Sequence, residues 1–324
     1  MPIVKRDKSG SNPLKQSFVE RVRSGSVVPI LSNEMMADLV LGGRHELVEG
    51  YADYVEYPME DRDDILQIAK FQIITGDMEE YDLKWDFLNY IKNRLYTIAE
   101  DEGRDEDELE EAAAEVDSLT ASVFAQRLGY PKLDGGTQDP LLIIADLPLP
   151  LYLTTSPHTF LETALERSGR KPVSDYCRWH PGLGNFDKTH KPTPTEPLVF
   201  HLFGLDTDAS SLLLTEDDYL QFLVAVSQEN GKENDPIPGL VRQAMSTSAP
   251  VLLGYEMSSW AFRVLFWGLI RPATMKHRGV CCLHVEPTEV EKQFFQEYLK
   301  KAEFEVFWGD VGTYTQELHR LYRS

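Results

Sequence analysis

From residue 149 onward, short apolar runs alternate with amphipathic stretches, and this alternation limits the possible folds more than any other feature of the chain. "PLYLTT" (150–155) reads as a strand, with "PHTFLETALERSG" as the helix after it. "LVFHLFG" (198–204) is followed by "TEDDYLQFLVAVSQ" (215–228), and "APVLLGY" (249–255) by "SSWAFRVLFWGLI". "GVCCLHVEP" with "EVEKQFFQEYLKKA", then "FEVFWGD" with "YTQELHRLY", complete the series. Thr215 ahead of three acids is a capped helix start that complements the helix dipole. Strand–helix units repeated in this way predict an α/β fold, a Rossmann-like, mainly parallel sheet with helices on both faces.

The N-terminal half differs. Residues 1–13 read as a flexible lead-in, 14–25 as a short helix and "SVVPIL" (26–31) as a strand. From residue 34 to about 128 the apolar spacing is helical, which predicts a helical insertion ahead of the regular strand–helix part, 149–324. Residues 14–324 are expected to form one domain. The stretch 100–117, dense in Asp and Glu, reads as a solvated helix face or mobile insertion, or else as an acidic contact for a basic partner. The segment 170–197 is loop-like, rich in Pro, Gly and polar residues.

A formal net charge of −21 argues against a general electrostatic grip on nucleic acid. No apolar run approaches the roughly 20 residues of a membrane span, and the basic N-terminus has no apolar signal core. Cys177, Cys281 and Cys282 give no disulfide framework, so a cytoplasmic location is expected. Cys281 and Cys282, adjacent in a strand, should point to opposite faces.

In an open parallel sheet, ligands bind beyond the carboxyl ends of the strands. Four loops qualify: "SNEMMADL" after SVVPIL, "TTSPHTFLETAL" after PLYL, "HLFG", and "GYEMSSWAF" after PVLL. In this order they resemble the sirtuin-like (silent information regulator two-like) domains of bacterial anti-phage defence proteins. The usual pattern there is a GAG-type loop, "TTNYD…LE.AL", "LHG" with "LTEDDY" downstream, and "GYS..D.NFR". The matching stretches here are "VVPILSN", "LTTSPHTFLETALERSG", "FHLFG…LLLTEDDYLQFL" and "VLLGYEMSSWAFRVLFWGL", across roughly residues 18–275.

The resemblance implies NAD as substrate or ligand, and cleavage of the bond between nicotinamide and ribose through an oxocarbenium-like centre. Carried onto this chain, the LHG histidine falls on His201 as base. Ser156 and Asn33 would orient ribose or water, and Ser32, Thr155, His158, Gly204, Gly254, Tyr255 and Glu256 would line the dinucleotide. The chain departs from the pattern at several points. Ser32 and Asn33 replace Gly-Ala-Gly, whose bare backbone lets amides approach a pyrophosphate. Ser156 replaces the TTN asparagine, Pro157-His158 the Tyr-Asp after it, and Glu256 and Ser259 stand where Ser and Asp are common.

Protein-deacetylating sirtuins carry two CxxC pairs, absent here. Cys177, His180 and His190 leave a tetrahedral zinc site one ligand short, so no metal is expected. Trp260, Phe262, Phe266 and Trp267 read as core or interface, and Arg263 as a structural pair or a phosphate contact. Two functions follow. One is a nicotinamide-releasing effector of anti-phage defence, activated by oligomerisation, by a HerA-type ATPase or by another defence partner. The alternative is a catalytically silent nucleotide-sensing or assembly module. Either would engage NAD or a related nucleotide and further copies of the chain, with no direct nucleic-acid or membrane contact.

Overall fold

A computed structural model describes residues 13–76, 78–186, 190–283 and 287–324. The expected lead-in, apart from Pro13, and residues 284–286 of "GVCCLHVEP" lie outside the described residues. Seven strands form one parallel sheet: β1 (Val27–Leu31), β2 (Leu151–Thr154), β3 (Val173–Tyr176), β4 (Leu198–His201), β5 (Ala249–Tyr255), β6 (Gly279–Leu283) and β7 (Phe304–Phe307). Their spatial order is β3-β4-β2-β1-β5-β6-β7, with every pairing parallel.

After β1 come α2 (Asn33–Val40), α3 (Arg44–Tyr54), α4 (Ile65–Thr75), α5 (Glu80–Asp101), α6 (Glu106–Ala114), α7 (Ala121–Arg127) and α8 (Pro140–Asp146), preceded by α1 (Gln16–Arg23). α9 (Phe160–Arg167) follows β2, α10 (Glu216–Gln228) and α11 (Gly239–Thr247) follow β4, and α12 (Trp260–Leu265) follows β5. α13 (Glu289–Lys300) and α14 (Val311–Arg323) flank β7. The α/β class, the parallel sheet and the helical insertion are as expected from the apolar periodicity. The strand β3 is not: it lies inside the segment read as loop. Its residues V-S-D-Y are half exposed at the sheet edge, so they carry no continuous apolar run.

Period-2 alternation splits the core into two layers. Val27, Leu31, Val199, Val251, Leu253 and Cys282 face α1, α2, α8, α9 and α14, together with most of the insertion. Val28, Ile30, Leu198, Phe200, Leu252 and Cys281 face α10, α11, α12 and α13. Cys281 and Cys282 do point to opposite faces. The helices after the neighbouring strands β1 and β5 also lie on opposite faces, α2 in the first layer and α12 in the second. Between those two strands the connections diverge, which opens a crevice at their carboxyl ends. Phe262 and Phe266 are core residues, Trp267 is half exposed, and Arg263 is exposed on α12.

The insertion is fastened to this frame by a buried ion pair. Lys84 Nζ on α5 lies 2.7 Å from Asp218 Oδ1 at the start of α10, with both side chains almost wholly enclosed. Asp218 Oδ2 also accepts from the Leu214 and Thr215 amides at 2.9 Å, completing a capping box with Thr215. Asp218 of "LTEDDY" therefore has a structural role here. α6 carries the acidic stretch, buries only Leu109 and Ala112, and turns its acids to solvent.

Candidate active-site cleft

Hydrogen bonds stitch the four strand-end loops together. Ser32 caps α2: its Oγ accepts from the Met35 amide at 2.9 Å and donates to Gly254 O at 2.8 Å, joining the loop after β1 to the end of β5. The Asn33 amide donates to Thr155 Oγ1 at 3.0 Å, and the Tyr255 hydroxyl reaches Thr155 Oγ1 and Leu31 O at 3.3 Å. His201 Nδ1 lies 2.7 Å from Ser156 O, joining the loops after β2 and β4. Asp206 Oδ2 accepts from the Ser122 amide and hydroxyl at 2.6 and 2.5 Å and sits 3.5 Å from His158 Nδ1. That network ties α7 of the insertion to both loops.

The loops converge on a cleft of two adjoining hollows. The inner one, about 140 Å³, is lined by Asn33, Glu34, Thr155, Pro157 and Phe203, with apolar walls from Leu47, Leu66, Phe87 and Leu212–Leu214. The outer one, about 530 Å³, adds His45, Asp63, Asp64, Glu256, Ser258 and Ser259. Glu34, Arg44 and Tyr219 line both. Asn33 Oδ1 and Glu34 Oε2 are buried with no hydrogen-bond partner. Burial, above all, pushes the Glu34 carboxyl up.

Of the residues named from the sequence, Asn33, Thr155, Pro157, Glu256, Ser259 and Trp260 line this cleft. Ser32, Ser156, His158 and Gly204 are buried in the loops that frame it, and Gly254 and Tyr255 are buried at the end of β5. His201 is 0% exposed. Its Nε2 lies 2.8 Å from Glu162 Oε1 on α9, and the Ser174 hydroxyl donates to the same oxygen at 2.7 Å. The ring is on the Val199 face of β4, under α9, and both its nitrogens are engaged. The residue beside Gly204 that does reach the cleft is Phe203. Glu34, Arg44 and Phe203 are among the lining residues that the sequence reading did not single out. For Phe203 a signal existed, because the motif L-H-G in strict register falls on Leu202-Phe203-Gly204.

Burial alone would lower the His201 pKa, but the Glu162 carboxylate and the Ser156 carbonyl outweigh it and raise it. A raised folded pKa stabilises the protein fully below the unfolded value, about 6.5, and that support is lost as pH rises through the folded value. The urea midpoint of the wild type should therefore fall on alkaline titration relative to Glu162→Gln. A gap between the two that stays constant from pH 5.5 to 9 would contradict the buried pair.

Cys177 and His180 are occupied elsewhere: the Cys177 thiol donates to Pro236 O at 3.2 Å, and His180 Nδ1 accepts from the Gly182 amide at 3.1 Å. Among the described residues no group of three or more His, Cys, Asp or Glu is placed to hold a metal. Likewise, no described helix is long and apolar enough to cross a membrane.

An open parallel sheet with a crevice at the divergence of β1 and β5 is an architecture that binds ligands at the strand ends. Residues 150–307 match the family model of the SIR2-like domain. That stretch holds β2 to β7 and three of the four loops, so its similarity points to NAD-related function. No curated protein matches the chain.

Proposed function

We propose that the chain is a sirtuin-like module that holds NAD or a related nucleotide in this cleft without cleaving it, and acts by sensing that nucleotide or by assembling in response to it. The observation that carries this reading is the sealed imidazole. A base must reach the ribose or the attacking water at hydrogen-bonding distance, whereas His201 is enclosed and held on both nitrogens. Space supports the ligand: the two hollows together fall within the roughly 300–1,000 Å³ usual for small-molecule sites. The similarity to SIR2-like domains supplies the nucleotide class.

A second reading keeps the nicotinamide-releasing effector of anti-phage defence. The family match and the position of His201 at the carboxyl end of β4 favour it. It requires contact with a HerA-type ATPase, another partner or further copies of the chain to free the imidazole from Glu162. Nicotinamide release from NAD separates the two. Our reading expects wild type and His201→Ala to be equally inert, alone and at high protein concentration. Release by wild type that His201→Ala abolishes would establish the effector reading instead.

A further inference from the structure

Building on the proposal that a nucleotide occupies the cleft, we infer that Arg44 receives its diphosphate and that Glu256 is the carboxylate displaced to admit it. The usual phosphate seat in such a fold is the N-terminus of the helix after β1, where free amides and the helix dipole attract anions. Here three of its amides are taken from within. The Asn33 amide is spent on Thr155, the Met35 amide on the Ser32 hydroxyl, and the Met36 amide on Ser32 O at 3.3 Å. A diphosphate in this cleft needs another donor.

Arg44 is the one lysine or arginine among the described residues lining either hollow, and it lines both. Its Nε and Nη2 are fixed by Asp38, at 3.1 and 2.7 Å to Oδ2. Its Nη1 lies 2.6 Å from Glu256 Oε1 across the cleft. Two carboxylates share one guanidinium, with Asp63 and Asp64 on the same outer wall and Glu34 close by. The two partners are not equivalent. Asp38 sits on α2, accepts from the Arg44 amide, Nε and Nη2, and so holds the guanidinium plane, whereas Glu256 sits on the loop after β5 and accepts from Nη1 alone. A guanidinium already oriented on one side offers its other edge to phosphate oxygens, the geometry for which arginine is best suited. Glu256, read from the sequence as a nucleotide contact, becomes the competitor that the nucleotide must displace.

The test is calorimetric titration of ADP-ribose, NAD and adenosine into wild type, Glu256→Gln and Arg44→Gln. Glu256→Gln keeps the size of the side chain and removes its charge. It should tighten ADP-ribose and NAD by about tenfold, while Arg44→Gln weakens both by about tenfold or more, magnitudes expected for a close charge pair. Adenosine, which lacks phosphate, should bind all three proteins alike. If ADP-ribose affinity is unchanged or weaker in Glu256→Gln while adenosine still binds, the assignment to Arg44 falls and the nucleotide reading stands. If no compound binds any of the proteins, both fall.

Discussion

Asp218→Ala should destabilise the protein by about 3–5 kcal/mol, the usual effect of stripping one partner from a buried ion pair. The Lys84 ammonium would keep Glu80 Oε1 at 3.0 Å and the Trp179 ring at 5.3 Å, but Glu80 is half exposed and cannot replace an enclosed carboxylate. The Leu214 and Thr215 amides would lose their acceptor in the same step. Urea unfolding measures the loss. Asp218→Asn combined with Lys84→Met should recover most of it, because the amide oxygen still accepts from both backbone groups and no unpaired charge remains. A loss below about 1 kcal/mol in Asp218→Ala would mean that the pair does not fasten the insertion to the sheet.

Gly204→Ala should be at least as damaging, costing about 4 kcal/mol or more, a size reserved for a few named mechanisms such as backbone strain and overpacking. Gly204 has φ +96°, and a Cβ there would stand 2.3 Å from Ser211 O, 2.5 Å from Ser211 C and 2.7 Å from Leu212 N. None of these is a side chain that can swing aside. Ser211 is itself pinned, its carbonyl accepting from Trp179 Nε1 at 2.8 Å and its hydroxyl from the Leu205 amide at 3.0 Å. Gly169→Ala is the control, since φ there is +80° but no atom lies within 4 Å of the added carbon. It should cost only the left-handed backbone penalty, roughly 1–2 kcal/mol. Equal melting temperatures for the two variants would show that the turn after β4 is looser than described. Because Phe203 and Leu212 both line the cleft, Gly204→Ala should also weaken ligand binding.

Much of the architecture was legible in the sequence because burial on both sides of a parallel sheet leaves unbroken apolar runs. "VVPIL", "LYLT" and "APVLLGY" are buried at every position. "VSDY" was not legible, since a half-exposed edge strand has no such run. The convergence of four strand ends on one cleft follows from topology alone. Which side chains enter it does not, for that depends on rotation about the strand. At β4 the alternation assigns His201 to the Val199 face beneath α9, while Phe203 reaches the cleft two residues later. A two-position difference along H-L-F-G separates a base facing the sugar from an aromatic wall. Arg44 was hidden for another reason. It enters from a helix of the insertion, and nothing in the pattern "LGGRHEL" shows that α3 begins beside the loop after β5.

The most direct measurement is to titrate NAD into the purified protein and then recover the nucleotide from the calorimeter cell for chromatography. Saturable binding with all the NAD recovered intact is the expected result. Conversion of the recovered ligand to nicotinamide and ADP-ribose, abolished by His201→Ala, would contradict it and return the imidazole to the reaction.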